Sequence, residues 1–110
     1  MNLHGITQIV TSLERSRQFY EEVLGFTPGE STPAMRWQSY EFTGTMYFAV
    51  GEAPGSTIEI AFAVDDLDAL WQRIKDRVRV VTPPETTSWG AYRFVIHDPD
   101  GYVLAFVQAR

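Results

Sequence analysis

The stretch His97–Gln108, HDPDGYVLAFVQ, holds the densest group of residues that could do chemistry. One histidine and two aspartates lie within four positions, and such a group could bind a metal ion or act as an acid/base pair. The same residues have the composition of a tight turn, because Asp98 precedes Pro99 and Asp100 precedes Gly101. Since an apolar run follows, we interpret HDPDG as a turn between two strands.

Other kinds of catalytic site find little support in the sequence. The chain has no cysteine, which excludes disulfides, thiolate catalysis and cysteine-based zinc sites. There is no Gly-x-Ser-x-Gly elbow and no glycine-rich phosphate loop followed by lysine. The two histidines are His4 and His97, so a site with two histidines and one carboxylate would need both. His97 is more simply a surface residue hydrogen-bonded to the turn.

Composition and charge narrow the class of protein. At 110 residues the sequence predicts a single domain, 1–110, and 45% hydrophobic residues are enough for a core. Aromatic residues make up 14%, which is typical of an apolar pocket or an interface. The net charge is −5 with no basic run, so we expect neither nucleic acid nor a membrane as partner. No apolar run approaches ~18 residues, and we expect a cytoplasmic protein.

Apolar periodicity predicts two helices, each following a strand. The first begins near Thr11 or Ser12, and its apolar face comprises Leu13, Phe19, Tyr20, Val23 and Leu24. The second begins after Asp65 and Asp66, which are natural N-caps, and its face comprises Leu67, Leu70, Trp71, Ile74 and Val78. The predicted strands are 3–10, 26–30, 35–42, 45–50, 57–64, 78–82, 89–96 and 102–108.

The order of elements repeats, and the repeat can be followed residue by residue. An offset of 54 places Leu13 on Leu67, and an offset of 57 pairs Gly44 with Gly101 and Arg36 with Arg93. Each half reads βαβββ, with module 1 at about 1–51 and module 2 at about 57–110. One sheet covered by one helix leaves its other face apolar, so we expect the modules to pair and enclose a cavity.

Three segments carry a resemblance to a known family. Ile6–Phe26 (ITQIVTSLERSRQFYEEVLGF), Val64–Ile74 (VDDLDALWQRI) and Asp98–Phe106 (DPDGYVLAF) resemble the vicinal oxygen chelate superfamily of glyoxalase I, bleomycin-resistance proteins and extradiol dioxygenases. The resemblance covers nearly the whole chain. It implies an α+β fold of two paired βαβββ modules, and it implies frequent dimerisation, so we expect a homodimer.

The resemblance also implies where a metal would be held. In the metalloenzymes of this superfamily, His, Gln or Glu ligands come from the first and last strands of each half. Counted from the positions that match the family's helix starts and turn glycines, the four slots here are Gly5, Phe48, Glu59 and Ala105. Only Glu59 can bind a metal, and one carboxylate holds a divalent ion weakly. We therefore expect no metal and no cofactor, unless a strand slip or bulge turns His4 toward the site.

Strand alternation predicts which side chains would line the cavity. With Glu59 facing inward, we expect Gly5, Phe48 and Ala105 on the same lining as the carboxylate. Aromatic residues on neighbouring strands could stack on a planar ligand, and Arg93 could pair with a ligand or with Glu59. The candidate ligand-binding residues are therefore Glu59, Phe48, Trp37, Tyr40, Trp89, Tyr92, Arg93 and Ala105.

Three functions are compatible with these residues. We favour a non-metal protein of the bleomycin-resistance type that holds a small, largely apolar or aromatic ligand, with no catalytic residue assigned. The alternative is a divalent-metal-dependent enzyme of the glyoxalase, dioxygenase or epimerase kind with relocated ligands. In a third, the pocket is vestigial and the domain works through a partner or as a dimerisation module.

Overall fold

A computed structural model describes residues 1–55 and 57–109. The chain divides into two compact units: Gly5–Ile58, here the N-terminal unit, and Met1–His4 with Glu59–Arg110, here the C-terminal unit. The chain has strand, helix and three further strands in order, and then the same order again. The predicted α+β fold with two βαβββ modules is confirmed. No helix in the described residues is long and apolar enough to cross a membrane.

The first βαβββ motif contains one helix and four strands. Strand β1 leads to α1 and a π-helical turn, and the chain returns through β2, a 3-10 turn, β3 and β4. Their bounds are β1 Asn2–Val10, α1 Leu13–Arg17, the π-helical turn Gln18–Val23, β2 Pro28–Thr32, the 3-10 turn Pro33–Met35, β3 Trp37–Tyr40 and β4 Tyr47–Glu52. The strand order is β2-β3-β4-β1, with β1 and β4 parallel and the other pairs antiparallel.

The second motif repeats this arrangement with a longer α-helix. Its bounds are β5 Thr57–Val64, α2 Leu67–Ile74, β6 Arg79–Thr86, β7 Tyr92–His97 and β8 Val103–Gln108. The strand order is β5-β8-β7-β6, and again the first and last strands of the motif are parallel. Asp66 caps α2, because its carboxylate accepts a hydrogen bond from the backbone N–H of Ala69 at 3.0 Å.

The last strand of each motif supplies a second acceptor for the start of its helix. Glu52 Oε1, at the end of β4, accepts from the backbone N–H of Leu13 at 2.9 Å. Gln108 Oε1, at the end of β8, accepts from the backbone N–H of Leu67 at 2.9 Å. These N–H groups have no partner within a helix, so each motif fastens its helix to its sheet by the same bond. The sequence repeat is thus accompanied by an equivalent hydrogen bond between last strand and helix in each motif.

Each helix covers one face of its own sheet. In the N-terminal unit the core under the helix comprises Leu13, Tyr40 and Val50, with Val10, Tyr20, Phe26 and Phe48 packed against it. In the C-terminal unit it comprises Val64, Leu67, Phe94, Ile96 and Phe106, flanked by Phe62, Leu70, Trp71, Ile74, Val78, Tyr92 and Leu104. We call this side the helix face of each unit and the opposite side the far face.

The apolar face predicted for the first helix is only partly buried. Leu13 and Tyr20 pack inward, but Phe19, Val23 and Leu24 are exposed, with Val23 at 68%. For Val23 and Leu24 the cause is the π-helical turn, in which the Leu24 N–H bonds to the Phe19 carbonyl at 3.0 Å. This wider turn rotates the residues after it relative to an α-helix, so the 3.6-residue spacing no longer aligns them.

The offset between the two motifs also differs from the one counted on the sequence. Tyr47, three residues after Gly44, pairs with Gly5, whereas Val103, only two residues after Gly101, pairs with Glu59. The last strands therefore correspond with an offset of 56, from Glu52 to Gln108, rather than 57. One extra residue in the first loop displaces every correspondence counted from the turn glycines.

Candidate functional site

The HDPDG segment is a turn, as the sequence predicts. Asp98 Oδ1 accepts hydrogen bonds from the backbone N–H groups of Asp100 and Tyr102, each at 2.9 Å. Gly101 has φ +90°, a conformation that strains any other residue, and its carbonyl lies 3.0 Å from His97 Nδ1. Both the aspartate and the histidine are thus engaged in the turn. Within the described residues no three His, Asp or Glu side chains are grouped to hold a metal ion.

The first slot of the implied metal centre is filled by an aromatic ring. Gly5 and Tyr47 are paired across β1 and β4, and the ring of Tyr47 lies directly over the glycine. A Cβ at position 5 would stand 2.2 Å from Tyr47 Cδ2, far inside contact distance. Any ligating side chain at position 5 would need the volume that this ring occupies.

The second slot was assigned to the wrong face. Phe48 was expected beside Gly5, but it is paired with Ile6 and packs on the helix face against the core of the N-terminal unit. The offset of 56 makes Ala49 the counterpart of Ala105, and neither methyl group can bind a metal. The error comes from the extra loop residue after Gly44, because side chains alternate along a strand and one residue reverses the face.

The third slot, Glu59, is held by an arginine. Glu59 Oε1 accepts from Arg93 Nη1 at 3.0 Å, and both side chains are about four-fifths buried, with 20% and 22% exposed. The sequence left open whether Arg93 pairs with this carboxylate or with a ligand. In the structure it pairs with the carboxylate, so Glu59 is already neutralised by a cation of the protein itself.

The ion pair spans the fourth slot. Glu59 on β5 is paired with Val103 of β8. Arg93 on β7 is paired with Val107 of the same strand. Ala105 therefore lies midway along the diagonal between the two charged residues, on the same far face, and it is fully buried. Its methyl group offers no atom that could bind a metal, and the two long side chains meet across it.

The residues present therefore do not fit the metal centre of this fold's metalloenzymes. The ring of Tyr47 fills the slot at Gly5, and Arg93 binds the carboxylate of Glu59. Of the other two slots, Ala105 has only a methyl group and Phe48 lies on the helix face. The guanidinium lies within hydrogen-bond distance of the one carboxylate that a divalent ion would need. The positive charge of Arg93 thus balances the negative charge of Glu59.

Arg93 also contacts an aromatic side chain. Its guanidinium carbon lies 5.2 Å from the ring centroid of Trp89, which is in the loop between β6 and β7 and is 55% exposed. Arg93 Nε is buried, and no group in the described residues accepts its hydrogen. The C-terminal unit thus has a guanidinium with Nη1 bound by Glu59, an indole ring nearby, and a buried Nε without an acceptor in the described residues.

The other predicted ligand-binding residues lie elsewhere. Tyr40 is buried on the helix face, where its hydroxyl donates to Glu21 Oε2 at 3.0 Å. Burial raises the pKa of Tyr40 to about 12, and the bond to Glu21 adds to this. Tyr92 likewise turns toward its helix and donates to Asp68 Oδ1 at 2.5 Å. Neither tyrosine shares a face with Glu59.

Trp37 remains on a far face, that of the N-terminal unit. A Cβ on Gly51 would meet Trp37 Cδ1 at 3.5 Å and the side chains of Thr7 and Ile9 at 3.7 and 3.8 Å, which places these groups together. By strand register Trp37 is the counterpart of Arg93, since each pairs with the equivalent position of its last strand. Arg36, expected to match Arg93, instead pairs with Glu14 and Glu52 at the surface, each at 2.7 Å.

Sequence reasoning missed Tyr47. Counting from the turn glycine placed Phe48 on the cavity lining, and side-chain alternation then leaves Tyr47 off that lining. The signal was nevertheless present, because a glycine in the first strand opposite a large aromatic residue indicates close packing across the pair. Which residue of β4 lies opposite this glycine depends on the register between the two strands, and no local sequence pattern gives that register.

A family model matches nearly the whole chain. The family model described as Glyoxalase/Bleomycin resistance protein/Dioxygenase superfamily matches residues 2–106. Together with the two successive βαβββ motifs, this shows that the chain belongs to that superfamily, as its sequence motifs predicted. Among curated proteins no significant match to the chain was found.

Solved structures agree on the fold. A superfamily member from Vibrio splendidus 12B01 has a TM-score of 0.80 at 21% identity, covering 94% of this chain and 96% of its own. Methylmalonyl-CoA epimerase from Mycobacterium tuberculosis has a TM-score of 0.70 at 18% identity, covering 99% and 88%. The Mn(II)-bound glyoxalase from Novosphingobium aromaticivorans has a TM-score of 0.72 at 23% identity, covering 97% and 38%. At these identities the likeness extends to the fold alone.

Proposed function

We propose that this protein binds a small, largely apolar or aromatic molecule without a metal, in the manner of bleomycin-resistance proteins. The observation that carries the proposal is the Glu59–Arg93 ion pair, which occupies the only carboxylate among the implied metal slots. An arginine at 3.0 Å competes with any divalent ion for that carboxylate. The protein then acts by holding its ligand rather than by transforming it.

The chemistry of the far face in the C-terminal unit supports such a ligand. Apart from the ion pair, the strand positions beside it carry small apolar side chains, namely Ala61, Ala63, Val95, Val103, Ala105 and Val107. Apolar walls with one polar anchor are the usual composition of a small-molecule site. Trp89 adds an exposed ring beside that anchor. The cavity between the two modules stays a prediction of the sequence.

A metal-dependent enzyme with relocated ligands is the second candidate. It is favoured by the fold, since the similar structures include a Mn(II)-bound glyoxalase and methylmalonyl-CoA epimerases. On this hypothesis Glu59 would exchange Arg93 for a metal, and His4 would be the nearest imidazole in the sequence to the first slot. The ion pair would then have to open whenever the metal bound.

Native mass spectrometry of protein purified from its own host, without chelator, separates the two candidates. The proposal predicts no stoichiometric metal and, where the ligand survives purification, an added small organic mass. Melting temperatures should be unchanged across titrations with Mn, Ni, Zn and Fe salts, because a ligand that binds only the folded state raises them. One bound metal per chain would contradict the proposal.

Matched variants locate any metal that is found. Glu59→Gln should abolish binding at the implied slot, whereas Glu52→Gln, which alters a carboxylate paired with Arg36, should leave it unchanged. The same spectra report the subunit count. We propose a homodimer that works in the cytoplasm and does not bind nucleic acid or membranes, and a monomeric mass at micromolar concentration would contradict the dimer.

A further inference from the structure

Arg93 has a buried hydrogen-bond donor, Nε, that the described residues leave unpaired. Nη1 donates to Glu59, but Nε is buried and none of those residues offers it an acceptor. More than about 90% of buried polar groups in folded proteins have a partner, because leaving a donor unpaired destabilises the fold. A buried, unpaired N–H on a charged group therefore indicates a place for an acceptor from outside the chain.

The surrounding charges decide what kind of acceptor fits. The positive charge of Arg93 is already balanced by Glu59 at 3.0 Å. Glu85, on β6, is paired with Arg93 across the sheet, which puts a second carboxylate at the neighbouring position. An anionic ligand would approach two carboxylates and one arginine, and it would lose its hydration without gaining net attraction. Arg93 therefore needs an acceptor oxygen and no further negative charge.

Trp89 lies beside the guanidinium that carries this donor. Its ring lies near the guanidinium carbon, and it is an exposed side chain on a loop rather than on a strand. Arg93 Nε has almost no exposed surface, so an acceptor reaches it only when a covering side chain moves aside. The indole can move without breaking any strand pairing, and its ring then offers a flat apolar surface to the ligand.

Building on the proposed function, we propose that the ligand is an uncharged, ring-bearing molecule with one acceptor oxygen, such as a ketone or amide carbonyl. The oxygen accepts from Arg93 Nε, and the ring packs beside Trp89 after the indole has shifted. Arg93 and Trp89 are thus the residues that determine specificity in the C-terminal unit. Glu59 is a positioning residue, since it fixes the other end of the guanidinium.

Three naphthalene probes test this inference by ¹⁵N NMR titration. Naphthalene has the ring alone, 2-acetylnaphthalene adds a neutral carbonyl, and 2-naphthoate adds a charge. A net hydrogen bond to a charged donor corresponds to roughly tenfold or more in affinity. We expect 2-acetylnaphthalene to bind at least about tenfold more tightly than either other probe, and to move the Arg93 Nε–H and Trp89 indole resonances.

Two lysine variants provide the control. Arg93→Lys keeps the positive charge near Glu59 but removes the Nε–H, so the preference for the ketone over naphthalene should disappear. Arg79→Lys changes an exposed arginine of the same unit and should keep the preference. Both variants also report their folding through the dispersion of the backbone resonances.

The outcomes separate this inference from the proposed function. Equal affinity for naphthalene and the ketone, or tightest binding of 2-naphthoate, would overturn the inference and leave apolar ligand binding intact. An unmoved Arg93 Nε–H resonance in the saturated ketone complex would overturn it as well. If none of the three probes binds up to its own limit of solubility in water, the proposed apolar or aromatic ligand fails together with the inference.

Discussion

Replacing Gly5 by alanine should destabilise the protein, because Tyr47 occupies the space of the added methyl group. The new Cβ would lie 2.2, 2.4 and 2.5 Å from three ring carbons of Tyr47. Carbon atoms in contact are normally about 3.5 to 4.0 Å apart, so the ring has to move by more than an ångström. A side chain at position 5 therefore cannot be accommodated while the Tyr47 ring keeps its place.

The expected change in the free energy of unfolding is the difference between two opposing effects. Overpacking of this kind typically costs about 1–3 kcal/mol. Replacing glycine by alanine where the backbone allows it returns about 0.4–1 kcal/mol, because the unfolded chain becomes less flexible. Gly5→Ala should therefore lower the free energy of unfolding by about 1–2 kcal/mol. For a chain of this length that is a fall in Tm of roughly 4 to 10 °C.

A double-mutant cycle measured by urea unfolding tests the cause. In a Tyr47→Ala background the clash is absent, so adding Gly5→Ala should be neutral or slightly stabilising. Gly51→Ala is the matched control on the same face, because its Cβ would meet its nearest neighbours at 3.5 Å or more. If Gly5→Ala is as well tolerated as Gly51→Ala, or if Tyr47→Ala fails to rescue it, the ring does not occupy the slot.

Three further predictions concern stability. Asp66→Ala removes the N-cap of α2 and should lower the free energy of unfolding by about 1 kcal/mol, whereas Asp66→Asn should cost less. The hydrogen-bonded ion pair with Arg36 holds the pKa of Glu52 below that of an ordinary glutamate, so its stabilisation is present above the unfolded pKa and is lost as the pH falls through the folded pKa. Urea midpoints should therefore decline on acidification, and less steeply in Glu52→Gln. Tyr40, with its pKa raised from 10.0 to about 12, stabilises the fold below pH 10 and loses this contribution as the pH rises toward 12. Tyr40→Phe should reduce the alkaline decline in Tm, and an identical decline in both proteins would contradict the assigned environment.

Local sequence patterns correctly predicted those helices, strands and turns whose formation depends on residues close together in the chain. The alternation of β5 and the apolar stripe of α2 are local periodicities, and both appear in the structure. The HDPDG turn was predictable because Asp98 bonds to backbone groups only two and four residues away. The first helix was predicted less accurately, since the π-helical turn displaces Val23 and Leu24 from the expected face.

The candidate site was predictable in composition but not in arrangement. Glu59 was recognised as the only possible ligand among the metal slots, and its pairing with Arg93 was one of two alternatives that the sequence left open. The face of Phe48 was wrong, because one additional residue between Gly44 and β4 reverses inward and outward positions. Tyr47 escaped notice for the same reason.

The sequence by itself determined the duplicated βαβββ order and the superfamily, because these depend on residue types and local spacing. Only the tertiary structure decided that Tyr47 covers Gly5 and that Arg93 reaches Glu59 above Ala105. The physical reason is strand register. Residues that are 34 positions apart in the chain, such as Glu59 and Arg93, meet only after the strands between them have paired.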